Sequence, residues 1–404
     1  MVARLIRRAL DLVVAIPMAY AGACTAYLLT MLMAAGRRRS APTRTDVTPR
    51  VLVFVPAHNE EASIEDSVGS LVGADYPADR REVIVIADNC TDETAELARA
   101  AGAKVWARDD PANPGKGQAV AWALERANRE HPDTEVFVMV DADCIASPNL
   151  LRELSGAIAA GADAAQAEDV MSNPEASVQA ALRYAGFGLV NVVRPLGKEA
   201  LGLSVGLLGT GMAFPKRTLE EIPWNAFSVT EDREYHLRMI TLRRRTRYVA
   251  DASVKSPAPL TRAEGQIQQM RWETGNARLG RRWMWPLVRA GVARRDLAQL
   301  HAGIELAIGP LSLVVAPAVG STAAAVALRR RRLARAGLAI GFGQAVYVLG
   351  GLRLIGAPKS VYSALAGTPR LIASRVLQYG HIGSGRGAEE WKRSTRPEAP
   401  SPVG

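Results

Sequence analysis

Apolar residues fall into two kinds of run along the chain. Long ones occupy residues 10–35, 304–328 and 338–355, and short ones rich in Val, Ile and Phe occupy residues 51–55, 83–86 and 137–140. The short runs are continuous rather than alternating, which predicts strands buried on both faces of a mostly parallel sheet. Between them, apolar positions recur at helical spacing over about 60–72, 91–101 and 116–129. The second of these helices opens on Thr91, Asp92 and Glu93, where acidic groups complement the helix dipole, and Gly102 closes it. Strand and helix alternate as in an α/β domain, whose ligands bind at the carboxyl ends of the strands.

The run over 10–35 carries one charge, Asp11. As a helix it would reach ~39 Å, against about 30 Å for a hydrocarbon core. Arg4, Arg7 and Arg8 precede it, as in a signal peptide, but the run exceeds a signal core and Arg37, Arg38 and Arg39 follow as a stop-transfer cluster. An uncleaved anchor is therefore predicted, with the following domain cytosolic and the chain multi-pass in the cell (inner) membrane. The two C-terminal runs, containing Pro310, Pro317 and several glycines, predict two further spans. The five arginines between them would then face outward, against the positive-inside tendency; either they snorkel or the proline-containing segment is re-entrant. The organisation expected is an anchor over 1–36, a linker over 37–50, the α/β domain over 51–275, an interfacial amphipathic segment over 276–300, two spans over 301–357 and a cytosolic or interfacial tail over 358–404.

Charge and composition narrow the partners. The net charge of +10 is concentrated in arginines beside apolar stretches, which points to the headgroups of membrane lipids. Aromatic residues make up only 5% of the chain and do not interleave with the basic ones, so nucleic acid is not an expected partner. Cys24, Cys90 and Cys144 are widely spaced, and the five histidines are scattered, so neither a zinc site nor a catalytic triad is predicted. High Ala, Arg and Gly content suggests a GC-rich bacterial genome.

Polar motifs sit where the strands end. Asn59 and Glu60 follow the first, Asp88 and Asn89 the second, and Asp141 and Asp143 the strand ending at Val140. Two carboxylates two residues apart, leaving a buried strand, can point into one crevice as hard ligands for Mg²⁺ or Mn²⁺. The plainer reading is that Asp143 caps the turn before Ser147 and Pro148. No GxGxxG follows any strand, which disfavours a dinucleotide oxidoreductase. Farther on come Gly209-Thr210-Gly211, Thr230-Glu231-Asp232 and Gln268-Gln269-Met270-Arg271-Trp272, just ahead of the apolar runs. Taken singly, the last two read equally as a helix cap and an interfacial helix.

In that order the motifs resemble those of family 2 inverting glycosyltransferases of the GT-A fold, especially the membrane synthases related to cellulose, chitin and hyaluronan synthases. The resemblance runs from about Val51 to Trp285. It implies a nucleotide-sugar donor, a UDP-sugar being favoured, and a carbohydrate or lipid-linked acceptor at the membrane. Pro56, Asn59 and Glu60 match the start of the family's nucleotide pocket. Ala87-Asp88-Asn89-Cys90-Thr91-Asp92-Glu93-Thr94 matches its Asp-Asp-x-Ser-x-Asp-x-Thr segment, with alanine at the first aspartate, so Asp88 alone is carried over as the base-binding carboxylate. Lys116 matches a basic position near the nucleotide. The resemblance further implies Asp141 at ribose or metal, Asp143 at the metal, Asp232 as general base, Gln268 and Arg271 at the diphosphate, and Gly211, Glu231 and Trp272 on the acceptor side. The segment from Trp391 to Arg396 resembles tail sequences of these enzymes.

Three rivals set the terms for the structure. A sugar nucleotidyltransferase would carry a glycine-rich phosphate loop after the first strand, where this chain has Pro56-Ala57-His58-Asn59-Glu60. An inactive nucleotide-sugar-binding scaffold of an export complex would have dispensed with Asp143 or Asp232. A single-addition transferase differs from a processive synthase in needing no channel, although a homo-oligomer could complete one.

Overall fold

The computed structural model describes residues 2–37, 40–258 and 262–367, so the Trp391 motif lies outside the described residues. Helix α1 (Val2–Ala35) leads into β1 (Val51–Ala57), α2 (Ile64–Val72), β2 (Arg81–Asp88), α3 (Thr94–Ala100), β3 (Lys104–Arg108), α4 (Lys116–Glu130), β4 (Val136–Met139), β5 (Ile145–Ala146) and α5 (Leu150–Ala159). After these come β6 (Ala164–Met171), α6 (Val178–Gly188), a π-helical turn (Leu189–Val193), α7 (Arg194–Ala200), β7 (Met212–Pro215), α8 (Lys216–Glu221), α9 (Glu231–Thr241) and β8 (Thr246–Ser256). The chain then turns helical: α10 (Arg262–Arg294), α11 (Leu297–Glu305), α12 (Leu311–Ala327), α13 (Arg331–Leu354) and α14 (Lys359–Ala364).

All eight strands form one sheet in the order β3-β2-β1-β4-β7-β6-β8-β5. Its first four strands are parallel, β7 runs antiparallel to both β4 and β6, and β8 returns parallel to β6. Strand alternation divides the core. Val51, Val53 and Val55 face one side with Ile64, Val68, Leu71, Leu150 and Leu154 from α2 and α5. Leu52 and Phe54 face the other with Ala119, Val120 and Ala123 of α4 and Tyr235 of α9. Each fully buried Phe, Leu or Ile contributes about 1.5–3 kcal/mol relative to exposure, which explains why these runs contain no polar residue.

Residues 40–50 lie along the domain, with the Ala41 amide donating to the Tyr248 carbonyl at 3.2 Å and the Arg44 amide to the Gly156 carbonyl at 3.0 Å. Beyond the sheet, α1, α12 and α13 pack on one another, and α7 lies against α1. That close approach depends on Gly197, where a Cβ would overlap the Met31 carbonyl. Among the described residues, Arg8–Ala35 and Arg331–Leu354 are long and apolar enough to cross a membrane. The second expected span is shorter. Its run breaks after α11, and α12 starts only at Leu311, because Pro310 disfavours helix in the residue before it and lacks an amide proton. At 17 residues α12 extends ~25 Å. Residues 262–294 form one helix, so the boundary expected between 275 and 276 falls inside α10. Arg330, in the arginine-rich corner before α13, pairs with Asp11 of α1 at 2.5 Å.

Candidate active site

The carboxyl ends of β1, β2 and β4 meet the start of α9 and the first half of α10 at one mouth. β1 ends in a loop where Asn59 adopts a left-handed conformation, φ +55°, tolerated by asparagine. Its Oδ1 accepts from the Thr91 amide at 2.7 Å, the Glu60 amide donates to Thr94 Oγ1 at 2.7 Å, and His58 Nδ1 meets the Asp88 carbonyl at 2.7 Å. The loops after β1 and β2 are thereby tied together. Asp88 is buried and accepts from Arg108 Nη1 at 2.5 Å, Asn89 Nδ2 at 3.0 Å and the Gly115 amide at 3.3 Å. Arg108 escaped the sequence reading because β3 was not expected; a basic residue closing a short apolar stretch was the available signal.

β4 delivers Asp141 and Asp143. The Asp141 amide donates to Thr210 Oγ1 at 3.0 Å, and its carboxylate pairs with Lys116 Nζ. Lys116, the first residue of α4, also donates to the Gly209 carbonyl at 2.7 Å and lies 3.7 Å from Glu231 Oε1. Burial alone would lower the Lys116 pKa, but Asp141 and Glu231 raise it. Burial raises Asp141, and Asp143 adds to this against the pull of Lys116. The turn at Gly209 and Gly211, with φ +89° and +62°, is held by Gln166, whose Nε2 donates to the Thr210 carbonyl at 2.8 Å and whose Oε1 accepts from the Leu208 amide at 2.9 Å. A Cβ on Gly209 would lie 3.6 Å from both Asp232 Oδ2 and Lys116 Nζ, so the lysine and Asp232 flank this turn. Gly211, expected on the acceptor side, is buried instead. A Cβ there would press on Ala167 and Val254 beneath the sheet surface, so its contribution is the shape of the turn.

Glu231 and Asp232 begin α9. Glu231 is pushed up to about 7, by burial first and then by Asp232, against Lys116. Asp232 is also raised by burial, against Arg233. Half-buried Arg271 comes from α10; its pKa is lowered by burial, and Glu231 and Asp141 act on it from across the mouth. Its Nε has no hydrogen-bond partner among the described residues. Trp272 follows it, half-buried, while the side chain of Gln268 lies outside the described residues. A further carboxylate that sequence reasoning missed, Asp169 on β6, is buried against Asn191 Nδ2 at 3.0 Å and raised well above the ordinary range by burial and by Asp141.

The structure thus gathers Lys116, Asp141, Asp143, Glu231, Asp232 and Arg271, and puts Pro56, Asn59, Glu60 and Asp88 on the adjoining loops. No group of three or more His, Cys, Asp or Glu side chains is arranged to hold a metal among the described residues. Two carboxylates at a strand end nonetheless suit Mg²⁺ or Mn²⁺, because such ions are commonly held by one or two carboxylates completed by substrate phosphates and water.

Comparison with known proteins agrees with this arrangement. A family described as glycosyltransferase like family 2 matches residues 49–275. The chain is 23% identical over 262 residues to glucomannan 4-beta-mannosyltransferase 1 of Oryza sativa subsp. japonica, covering 61% of this chain and 49% of that one. It is 26% identical over 245 residues to beta-monoglucosyldiacylglycerol synthase of Synechocystis sp., covering 59% and 50% respectively. The chain therefore spans about half the length of these relatives. Among solved structures, the mannosyltransferase PcManGT of Pyrobaculum calidifontis, determined with GDP-Man and Mn²⁺, superposes with a TM-score of 0.55 at 20% identity, over 84% of this chain and 97% of that one. With sheet, strand-end carboxylates and family match in agreement, this chain belongs to the glycosyltransferase-like family 2 and has the GT-A fold.

Proposed function

We propose that the protein is a membrane-bound inverting transferase that moves a sugar from a nucleotide donor, a UDP-sugar being favoured, to an acceptor at the bilayer. The observation that carries this reading is the position of Asp232 beside Gly209 and Lys116, facing the Asp141 and Asp143 strand end. In this reading the donor diphosphate lies between Lys116 and Arg271, whose guanidinium offers paired donors. Asp141 and Asp143 would hold a Mg²⁺ or Mn²⁺ ion, which when bound neutralises charge on the departing diphosphate. Asp232 accepts the proton of the acceptor hydroxyl as that oxygen bonds to the anomeric carbon and the sugar–phosphate bond breaks on the opposite face. Its raised pKa makes it a stronger base than a solvated aspartate.

A single addition to a membrane-associated acceptor is favoured over processive synthesis. The described membrane-side helices are packed directly on each other through Val14 and Met18 of α1, Ala325 of α12 and Ile340 of α13, so a channel wall would require other copies or partners. The deciding experiment supplies labelled UDP- and GDP-sugars to membranes containing the protein, with Mn²⁺ or EDTA, and Asp232→Asn as control. A lipid-extractable single addition that needs Asp232 and metal is the expected product. A ladder of sizes would establish a processive synthase, and nucleotide binding without any turnover would leave a scaffold.

A further inference from the structure

A second polar cluster lies away from the donor mouth, where the α/β domain meets the apolar helices. It contains Arg194 and Lys198 of α7, His301 and Glu305 of α11, Tyr27 of α1 and Tyr347 of α13. Arg194 is 7% and Lys198 4% exposed, far below what charged side chains ordinarily show. Glu305 is committed to Lys198 at 2.5 Å. Tyr27 Oη meets His301 Nε2 at 3.2 Å, and Tyr347 Oη donates to the Leu189 carbonyl at 3.0 Å. Arg194 shares a hydrogen bond with the neutral Tyr347 side chain and has no carboxylate of its own. It forms no ion pair with any described carboxylate, and its buried Nε has no hydrogen-bond partner among the described residues. A guanidinium does not deprotonate in proteins, so a buried one with a neutral hydrogen-bond partner, an unpartnered Nε and no carboxylate of its own calls for an anion.

The location limits which anion. Tyr27 lies eight residues before the end of α1 and Tyr347 seven before the end of α13. At the helical rise both are about 11 Å inside those ends, the depth of the boundary between headgroups and acyl chains if the helices span. The cluster also adjoins the proposed base. His236, one turn after Asp232 on α9, is pushed down to about 3 by burial and then by Lys198, and the charge of Arg233, next to Asp232 in sequence, acts on both His236 and Lys198.

We infer that Arg194, with Lys198 and Tyr27 beside it, binds the phosphate of an anionic membrane lipid and holds that lipid's headgroup next to Asp232. This rests on the reading of α1 and α13 as membrane helices and gives the proposed acceptor a chemical class, a phosphate-bearing lipid. Phosphate suits the guanidinium fork, and a lipid reaches this depth where a soluble ion does not.

The test uses the full chain in nanodiscs of phosphatidylcholine containing a minority of phosphatidylglycerol, with retained lipid read by native mass spectrometry after detergent release. Wild type should retain phosphatidylglycerol over phosphatidylcholine by about tenfold or more, a preference that charge-assisted hydrogen bonds of this kind supply. Arg194→Gln should abolish the preference and Arg194→Lys should keep part of it. Should Arg194→Gln fail to fold, the wild type alone decides: short-chain phosphatidylglycerol must raise its Tm more than short-chain phosphatidylcholine does. Equal retention of the two lipids, or displacement of the lipid by inorganic phosphate, would overturn the inference, the latter by making the site one for free phosphate. Asp232→Asn separates this inference from the transfer reaction, because it should lose transfer while keeping the bound lipid. If lipid is retained and no chain of any kind transfers sugar, the site stands and the transferase reading falls.

Discussion

The two sides of the mouth differ in how completely their polar groups are satisfied. On the side of the β1 and β2 loops, Asn59, Asp88, Asn89, Asp92 and Thr94 are tied to neighbouring loops by hydrogen bonds within the chain. On the other side, where α9 meets α10, Thr230 Oγ1, Arg271 Nε and Thr274 Oγ1 are buried without a partner among the described residues, and Glu231 and Asp232 are both raised by burial. Buried polar atoms left unpaired cost about 1–3 kcal/mol each, so such atoms tend to mark where a ligand or a small rearrangement completes the structure. The difference teaches that one side is built in advance and the other is finished by what binds there.

The largest expected effect tests the finished-by-binding side. Asp232→Asn should lower kcat by about 10²–10⁴-fold, the span attributed to a positioned general base, while donor binding measured by calorimetry stays near wild type. On the prebuilt side, Lys116→Met removes the cation shared by Asp141, Glu231 and the Gly209 carbonyl. It should raise the donor KM by about 10–100-fold, in line with roughly 1.5–3 kcal/mol for charged hydrogen bonds, and change kcat less. If instead kcat falls and KM holds, the division into two sides is misplaced.

Packing gives the next effect. A Cβ at Gly117 would overlap the Ala226 carbonyl. Gly117→Ala should therefore cost about 1–3 kcal/mol in denaturant unfolding by forcing α4 and the loop at Ala226 apart. It should also weaken donor binding, since α4 carries Lys116. The smallest effect concerns pH. Glu231 lies at about 7 in the folded protein against an ordinary 4.5, so the folded state holds its proton longer than the unfolded chain. Stability from this group is full below 4.5 and is lost as pH rises to about 7. Glu231→Gln should flatten the Tm profile over that interval, by roughly 2–4 °C if about 1 kcal/mol is involved. An unchanged slope would assign the pH response to another group.

What the sequence made legible follows from the length scale of the signal. The runs at 51–55, 83–86 and 137–140 are buried on both faces and could be read directly, and all three appear as β1, β2 and β4. β3, β6 and β8 mix polar and apolar residues, as in Ala164–Met171, where Gln166, Glu168 and Asp169 each answer a tertiary partner that local pattern does not reveal. The same limit hid Arg108, whose meaning depends on Asp88 twenty residues away, and the Arg194 cluster, drawn from four helices. Asp141, Lys116 and Glu231 were named individually, but only folding shows the lysine pairing with both carboxylates. The second apolar run was read from residue 304, whereas Pro310 delays its helix until Leu311.

The fit of Gly197 against the Met31 backbone bears on how this protein can be handled. Leu28 and Ala35 of the first helix share a buried cluster with Val192, Val193, Leu196, Val205, Tyr248 and Tyr347. The first helix is thus a wall of the domain's own interior. Trimming the chain to start near residue 40 would strip that wall and leave a sticky, unfolding-prone fragment, and grafting an unrelated apolar helix in its place would fail for want of the glycine-to-backbone fit.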